Sequence, residues 1–330
     1  MLHRFVTRIA GFLGLSLLCA ALPAHADNIP GSPGQVVPEL TETATDLQVR
    51  SIKDNMRPLR APGSAGVSVS TSGVVDGIGG SFGGDTPLAL RLDYRDLDTD
   101  RLDGSLTAGS VLMGRSLGER TLLFGGLVTE RLDTDTLYND GWIDAQGVGL
   151  AVGLDHQVGE RLFLTGILGH MALDYDVSRN GGITGSFHAR RTFLDLSGDY
   201  MTRTGNADLT LGAGLLYVTQ KNDSYIESGG AAVEGFTSDR LTGKLMARST
   251  WGQPGEMRPY LDAEGFFRLS GSTGLPTALD PGDEDDWSAR LGVGVQQNTS
   301  GSGFDVGIGA NFGDDAFEGL DAKLRYMLRF

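Results

Sequence analysis

Three stretches of this chain have side chains that could hold a hard cation: RDLDTDRLDG at 95–104, RLDTDTLYNDG at 131–141 and LDPGDEDD at 279–286. Calcium takes oxygen ligands of this kind, but the helix-flanked loop that binds it also needs a glycine at its sixth position. Counted from Asp96, that position is Arg101, so the motif fails and the stretches read as solvated acidic loops. The histidines could serve as bases. Asp155 and His156 are adjacent, so in a strand they point to opposite faces and cannot form a dyad. His170 and Asp174 share a face, with Asp195 and Ser197 as the groups that could join them, but no local hydrolase or protease signature surrounds them. Catalysis, cofactor and metal are therefore not expected. A third set is more regular. Arg91, Asp93, Asp195, Asp199, Arg240, Lys244, Arg248, Asp262, Glu264, Arg290 and Arg325 are interleaved in sign and alternate with apolar neighbours. On strands they would share one face, where opposite charges can pair across strands or form a selectivity surface.

The elements that position those charges follow from the alternation. Leu241, Leu245 and Ala247 oppose Thr242, Lys244 and Arg248; Leu320, Ala322, Leu324, Tyr326 and Leu328 oppose Asp321, Lys323, Arg325 and Arg329. Period two of this kind predicts strands. Twelve are expected, at about 86–96, 104–114, 119–131, 144–158, 160–175, 185–201, 206–219, 237–252, 256–269, 286–298, 303–313 and 319–330. Short turns near 116–118, 159–160, 202–206, 253–256 and 298–303 alternate with longer connections near 132–143, 176–184, 220–236, 270–285 and 314–318. Most of these strands are longer than the ~5–6 residues usual in soluble sandwiches. Lipid leaves backbone polar groups unsatisfied, so strands cross it only as a closed barrel, apolar side out. The fold class expected is all-β: a twelve-stranded antiparallel transmembrane barrel with short inner turns and longer outer loops. Trp142 and Trp287 near outer ends and Trp251 near an inner end would form its aromatic girdle.

The N-terminus supplies the address. Arg4 and Arg8, the apolar run Ile9 to Leu22, and Ala24-His25-Ala26 make a cleavable signal peptide over 1–26. Its removal takes away the lone Cys19 and, with the two arginines, moves the formal net charge from −15 to −17. A thiol-free chain suits an oxidising periplasm, and that charge argues against nucleic acid as a partner. Residues 27–38 read as a flexible leader. Glu39 to Arg57 is a helix with Leu40, Ala44, Leu47, Ile52 and Met56 on one face, ended by Pro58 and Pro62. Residues 58–85 read as a Gly/Ser-rich linker in which 66–72 could be one more strand. The barrel covers 86–330 in the outer membrane of a Gram-negative-type cell.

The terminal GLDAKLRYMLRF, ending in Phe330 with Leu328, Tyr326 and Leu324 at alternate positions before it, resembles the last strand of outer-membrane barrels. That resemblance implies recognition by the barrel-assembly machinery, with periplasmic chaperones on the way. The stretches 147–177, 241–267 and 289–313, with Gly149, Gly153, Asp155, Gly166 and Gly169, are similar to the strand–turn–strand units of the autotransporter β-domain. That family implies a twelve-stranded barrel whose lumen holds a helix leading to a secreted passenger, and 39–57 stands where the helix would be. The dozen residues ahead of it are too few for a passenger domain. The expectation is thus a barrel with a structural or surface-interaction role and no catalysis. Its partners would be outer-membrane lipid and lipopolysaccharide, with divalent cations at the acidic loops. A narrow diffusion pore, or a translocator for a passenger encoded elsewhere, are the alternatives, and an enzyme at the barrel rim is disfavoured.

Overall fold

The computed structural model describes residues 28–56, 66–72, 75–82 and 88–329, without 100, 119, 254–255, 281–286, 299–301 and 314–318. The expected signal peptide and Phe330 lie outside the described residues. The alternating segments form β1 (Gly66–Ser72), β2 (Val75–Phe82), β3 (Leu88–Asp98), β4 (Leu102–Ser116), β5 (Thr121–Thr136), β6 (Gly141–Val158), β7 (Leu162–Arg179), β8 (Ile183–Thr204) and β9 (Ala207–Asn222). A small hairpin, β10 (Tyr225–Ile226) with β11 (Ala232–Val233), interrupts the series. The wall then continues through β12 (Phe236–Trp251), β13 (Arg258–Ser272), β14 (Trp287–Asn298), β15 (Ser302–Gly313) and β16 (Gly319–Arg329). Each wall strand pairs antiparallel with its neighbour, β9 pairs with β12, and β1 pairs with β16 to close the ring.

All twelve expected strands are present, but the closed ring among the described residues contains fourteen. Of the additional two, β1 is the further strand that 66–72 could form, and β2 lies in the part of 58–85 read as a linker. Their small residues (GVSVSTS and VDGIGGSF) weaken the alternation by which the others are recognised. The inner rim carries the tight turns and the end of β16. Four of those turns hold a glycine at positive φ (Gly118, Gly159, Gly205 and Gly252), a conformation that costs other residues more.

Two expected outer loops are mostly strand. β5 continues to Thr136 and β6 starts at Gly141; β7 continues to Arg179 and β8 starts at Ile183. The alternation persists there: Leu132, Thr134 and Thr136 are buried while Arg131, Asp133 and Asp135 are exposed. Above the lipid the outward side meets water, so it turns polar without the strand ending. Outward residues lower on the same strands are apolar, such as Leu123 and Leu127 on β5, Val148 to Leu154 on β6, Leu164 and Leu168 on β7, and Leu194 and Leu196 on β8. They form the belt that faces acyl chains.

The leader is not a free tail. Ser32–Val36 forms a turn of 3-10 helix, buried throughout. Gly31 precedes it at φ 83. Helix α1, Val37–Met56, follows with Pro38 in its first turn, where no hydrogen bond is lost. At ~1.5 Å per residue its 20 residues reach about 30 Å, the thickness of a bilayer core. Its faces differ. Val36, Val37, Leu40, Ala44, Leu47, Val49 and Ile52 join one cluster with Leu106, Leu112, Leu132, Ile143, Met171, Leu173, Phe193, Leu216 and Val218 of the inner wall. Burial of each large side chain contributes about 1.5–3 kcal/mol. The inner wall is therefore partly apolar, not charged throughout, because it must solvate the apolar face of a helix.

Candidate functional site: the plugged lumen and its outer mouth

The polar face of α1 carries Glu39, Glu42, Asp46, Arg50 and Lys53 at spacings that align them along one side. This stripe meets the charges of the wall. Arg240 and Thr242 on β12 both donate to the Glu42 carboxylate, Thr242 at 2.6 Å. Lys244 donates to Asp46 Oδ1 at 2.6 Å, and Arg50 lies between Asp46 at 3.2 Å and Glu264 at 3.6 Å. Lys53 meets the fully buried Asp195 at 2.5 Å, and the charge of Asp199 also reaches it. Polar contacts continue on the apolar side, where Gln48 Nε2 donates to the Gly109 carbonyl and Ser51 bonds Ser110. Within this stripe Glu39 lies in the first turn and Lys53 in the last, each opposite in sign to the adjacent helix pole, while Asp54 beside Lys53 is not.

Most of the proposed lattice thus has a partner, and often that partner is the helix. Asp262 accepts from Arg290 Nη1 at 2.6 Å within the wall. Arg248, on the rung opposite Asp262, donates to Gln296 at 2.9 Å and lies 3.7 Å from the centre of the Tyr260 ring. Side chains of Arg91, Asp93, Arg325, Leu324, Tyr326 and Leu328 lie outside what is described; their backbones place Arg91 opposite Ser110 and Arg325 opposite Asp305.

The strongest buried network includes residues absent from the expected lattice. Arg191 on β8 donates to both Glu130 oxygens on β5, at 2.6 and 3.1 Å, and through Nε to Gln220 on β9 at 2.8 Å. Tyr175 on β7 lies within 3.4 Å of Arg191 and stacks on Phe187 with ring centres 4.8 Å apart. Glu130 was hidden from sequence reading because it stands at the end of an expected strand, in a run also rich in outward carboxylates. Inner-wall glycines admit aromatic rings beside this network. The Phe124 ring occupies the space a Cβ on Gly153 would need, and the Phe193 ring does so at Gly169.

At the outer mouth the wall holds the chain by its N-terminal segment. Tyr138 donates to the Ser32 carbonyl at 2.9 Å, Asn139 to Ser32 Oγ at 3.2 Å, and Arg101 to Gln35 at 3.3 Å. Arg179 and Glu227 close over Asn28 and Gly31.

The candidate chemical groups disperse. His170 faces outward at the upper edge of the apolar belt and bonds Thr192 at 2.8 Å, while Asp195 lies inside beneath Lys53. Asp174 instead pairs with His188 at 2.5 Å on the exposed face. The rim constellation of His170, Asp174, Asp195 and Ser197 does not form, because alternation puts the first two outside and Asp195 inside. His156 bonds Thr121 near the inner turn. Of the acidic stretches, 131–141 contributes Asp133, which lies beside Asp144 of β6 and, through it, Asp176 of β7, all pointing outward. Trp142 departs from the girdle: it lies at the outer tip beside Asp135, Asp140 and Ser178, well above Val148 and the belt. Trp287 and Trp251, exposed at outer and inner strand ends, occupy the expected levels.

A family profile described as the autotransporter beta-domain matches residues 59–311. Among solved structures, the translocator domain of the autotransporter NalP from Neisseria meningitidis superposes with a TM-score of 0.62 at 18% identity, covering 88% of this chain and 98% of that one. The beta domain of the Bordetella autotransporter BrkA gives 0.57 at 14% identity, covering 81% and 100%. At these identities the structures speak to the fold alone. No curated protein matches the chain in sequence. With the profile spanning three quarters of its length, the chain belongs to the autotransporter β-domain family of outer-membrane barrels.

Proposed function

We propose that this chain is a translocator-type barrel at rest, its lumen closed by its own N-terminal helix and the segment ahead of that helix delivered to the cell surface. The observation that carries this reading is the direction of α1. Val37, at its start, follows a segment bound at the outer mouth by Tyr138, Asn139 and Arg101, and Lys53, near its end, lies deep in the lumen against Asp195. A chain anchored at its far end in the periplasm reaches that arrangement only if residues ahead of Val37 have passed through the barrel. Export begins with the cleavable signal peptide, and insertion uses the terminal strand with Leu324, Tyr326, Leu328 and Phe330 as the mark read by the assembly machinery after periplasmic chaperones hand it over. The membrane-spanning wall is the closed ring of fourteen strands among the described residues, β1–β9 and β12–β16, since a gap in it would leave backbone polar groups unpaired in lipid. The role is transport and display without catalysis, and the outward carboxylates above the belt meet lipopolysaccharide through divalent cations. An open diffusion pore is disfavoured, since the helix and its ion pairs occupy the lumen.

The test is an epitope placed immediately ahead of Asn28. Antibody should label it on intact cells. Labelling that appears only after the outer membrane is permeabilised would overturn the reading.

A further inference from the structure

The hairpin β10–β11 serves no strand of the wall, yet it holds one of the most deeply buried carboxylates of the outer loops. Glu227 is 4% exposed and Arg179, at the end of β7, is 7% exposed. Arg179 Nε donates to Glu227 Oε1 at 2.9 Å and Nη2 to Oε2 at 2.6 Å, a forked pair. Both residues then turn to the N-terminal segment. The Gly31 N–H donates to Glu227 Oε1 at 3.0 Å, and Arg179 Nη1 donates to the Asn28 carbonyl at 2.8 Å. Tyr138 adds the Ser32 carbonyl. Three of these contacts fall on main-chain atoms, which every residue except proline offers in full. Side-chain selection enters at Ser32, whose Oγ accepts from Asn139, and at Gly31, where a Cβ would lie 2.9 Å from Val233 on β11 and 3.1 Å from Leu279, at a φ of +83.

The hairpin is held in this position by other means. Ser228 N donates to the Thr184 carbonyl at 2.7 Å, and Thr184 N donates back to Ser228 Oγ at 3.0 Å. Tyr225 stacks on Phe187 with ring centres 5.3 Å apart. The Glu227 turn is thus docked on β8 and β7 independently of the segment it grips, as a binding site must be.

We propose that Arg179 and Glu227 form a main-chain-reading clasp for an exiting polypeptide, which closes the outer mouth by gripping Asn28–Ser32. The clasp rests on the translocator reading but is separable from it. It predicts that the segment is protected by Glu227 specifically, and not merely by the presence of the helix in the lumen.

The experiment uses the full chain with Cys19→Ser, and Ser32→Cys as a near-isosteric reporter for Ser32, which is 0% exposed. A membrane-impermeant maleimide is applied to intact cells. In this parent the thiol should react slowly. Glu227→Ala should raise the rate by about tenfold or more, and Gly31→Val, which crowds Val233, should do the same. Glu227→Gln, which keeps an acceptor for Gly31 but loses the forked charge pair, should fall between. Heat-modifiable mobility on gels checks that each variant is a folded barrel. If Glu227→Ala does not fold, Gly31→Val decides. Fast labelling in the parent, or folded variants that react within about twofold of it, would overturn the clasp. An epitope ahead of Asn28 that stays hidden on intact cells would instead overturn the translocator reading, so the two failures are distinct.

Discussion

Removing the Glu130 carboxylate should be among the most damaging single changes to the barrel. Arg191 and Glu130 have side chains 1% and 2% exposed, so almost no solvent screens them. In Glu130→Ala the guanidinium would keep Gln220 and Tyr175 but lose the bonds of 2.6 and 3.1 Å that neutralise it. Breaking one side of a buried ion pair costs about 3–5 kcal/mol, because the remaining charge stays desolvated. At ~1.36 kcal/mol per decade this is roughly two to four powers of ten in the unfolding constant. The double variant Glu130→Leu with Arg191→Met removes both charges and should recover to within ~1–2 kcal/mol of wild type. Guanidinium unfolding of the barrel refolded in lipid vesicles, followed by tryptophan fluorescence, measures both. If Glu130→Ala lies within ~1 kcal/mol of wild type, the lumen near Arg191 is wet and the argument from desolvation fails.

Three further outcomes follow from the same geometry. Gly169→Val puts a side chain where the Phe193 ring lies, and should cost about 1–3 kcal/mol in the same unfolding assay, with Phe193→Ala restoring part of the loss when combined with it. The pair Lys244→Ala and Arg240→Ala removes the β12 cations that face Asp46 and Glu42 and should convert a silent barrel into one with measurable openings in planar-bilayer recording; continued silence would mean that these two ion pairs are not what holds α1. Burial pushes the Glu227 carboxyl up, but the Arg179 fork and the Gly31 N–H outweigh it and hold the group below its ordinary value of 4.5. A depressed carboxylate contributes stability that is complete above that value and is lost as pH falls through the lower folded value. Arg179 stays charged and Tyr225 stays neutral across this range, so labelling of the Ser32→Cys reporter, taken relative to a free thiol at the same pH because only the thiolate reacts, should rise only when the medium is taken below 4.5.

Much of the wall could be read from one dimension of information, the alternation of Leu, Val and Ile with charged or small residues. It placed twelve strands and the glycine-bearing inner turns, while the helical spacing of Leu40, Ala44, Leu47 and Ile52 placed the helix within two residues at its start. Three things escaped for physical reasons. β2, with three glycines and a serine among its eight residues, gives little contrast between faces, whereas β1 stands where 66–72 could be read as one more strand. The upper parts of β5 to β8 carry Asp133, Asp135, Asp144 and Asp176 outward, and a strand whose outer face meets water looks like a loop when only polarity is counted. The third concerns pairing: Lys244 and Arg240 were expected to find acids on the wall, yet their partners are Asp46 and Glu42 on a helix some 200 residues earlier. Distance in sequence hides such a pair. The stripe Glu39, Glu42, Asp46, Arg50, Lys53 was nonetheless visible, and a charged helical face beside a lumen of opposite charges is a signal that could have joined them.

The wall strands differ in length. β8 has 22 residues and β13 has 15. At ~3.3 Å per residue and a tilt near 40°, these reach heights of roughly 55 and 38 Å. The molecule therefore stands in its bilayer with a parapet along β5–β8. Whatever leaves the mouth is backed by that parapet, and a neighbour in the membrane approaching from its side meets carboxylates first.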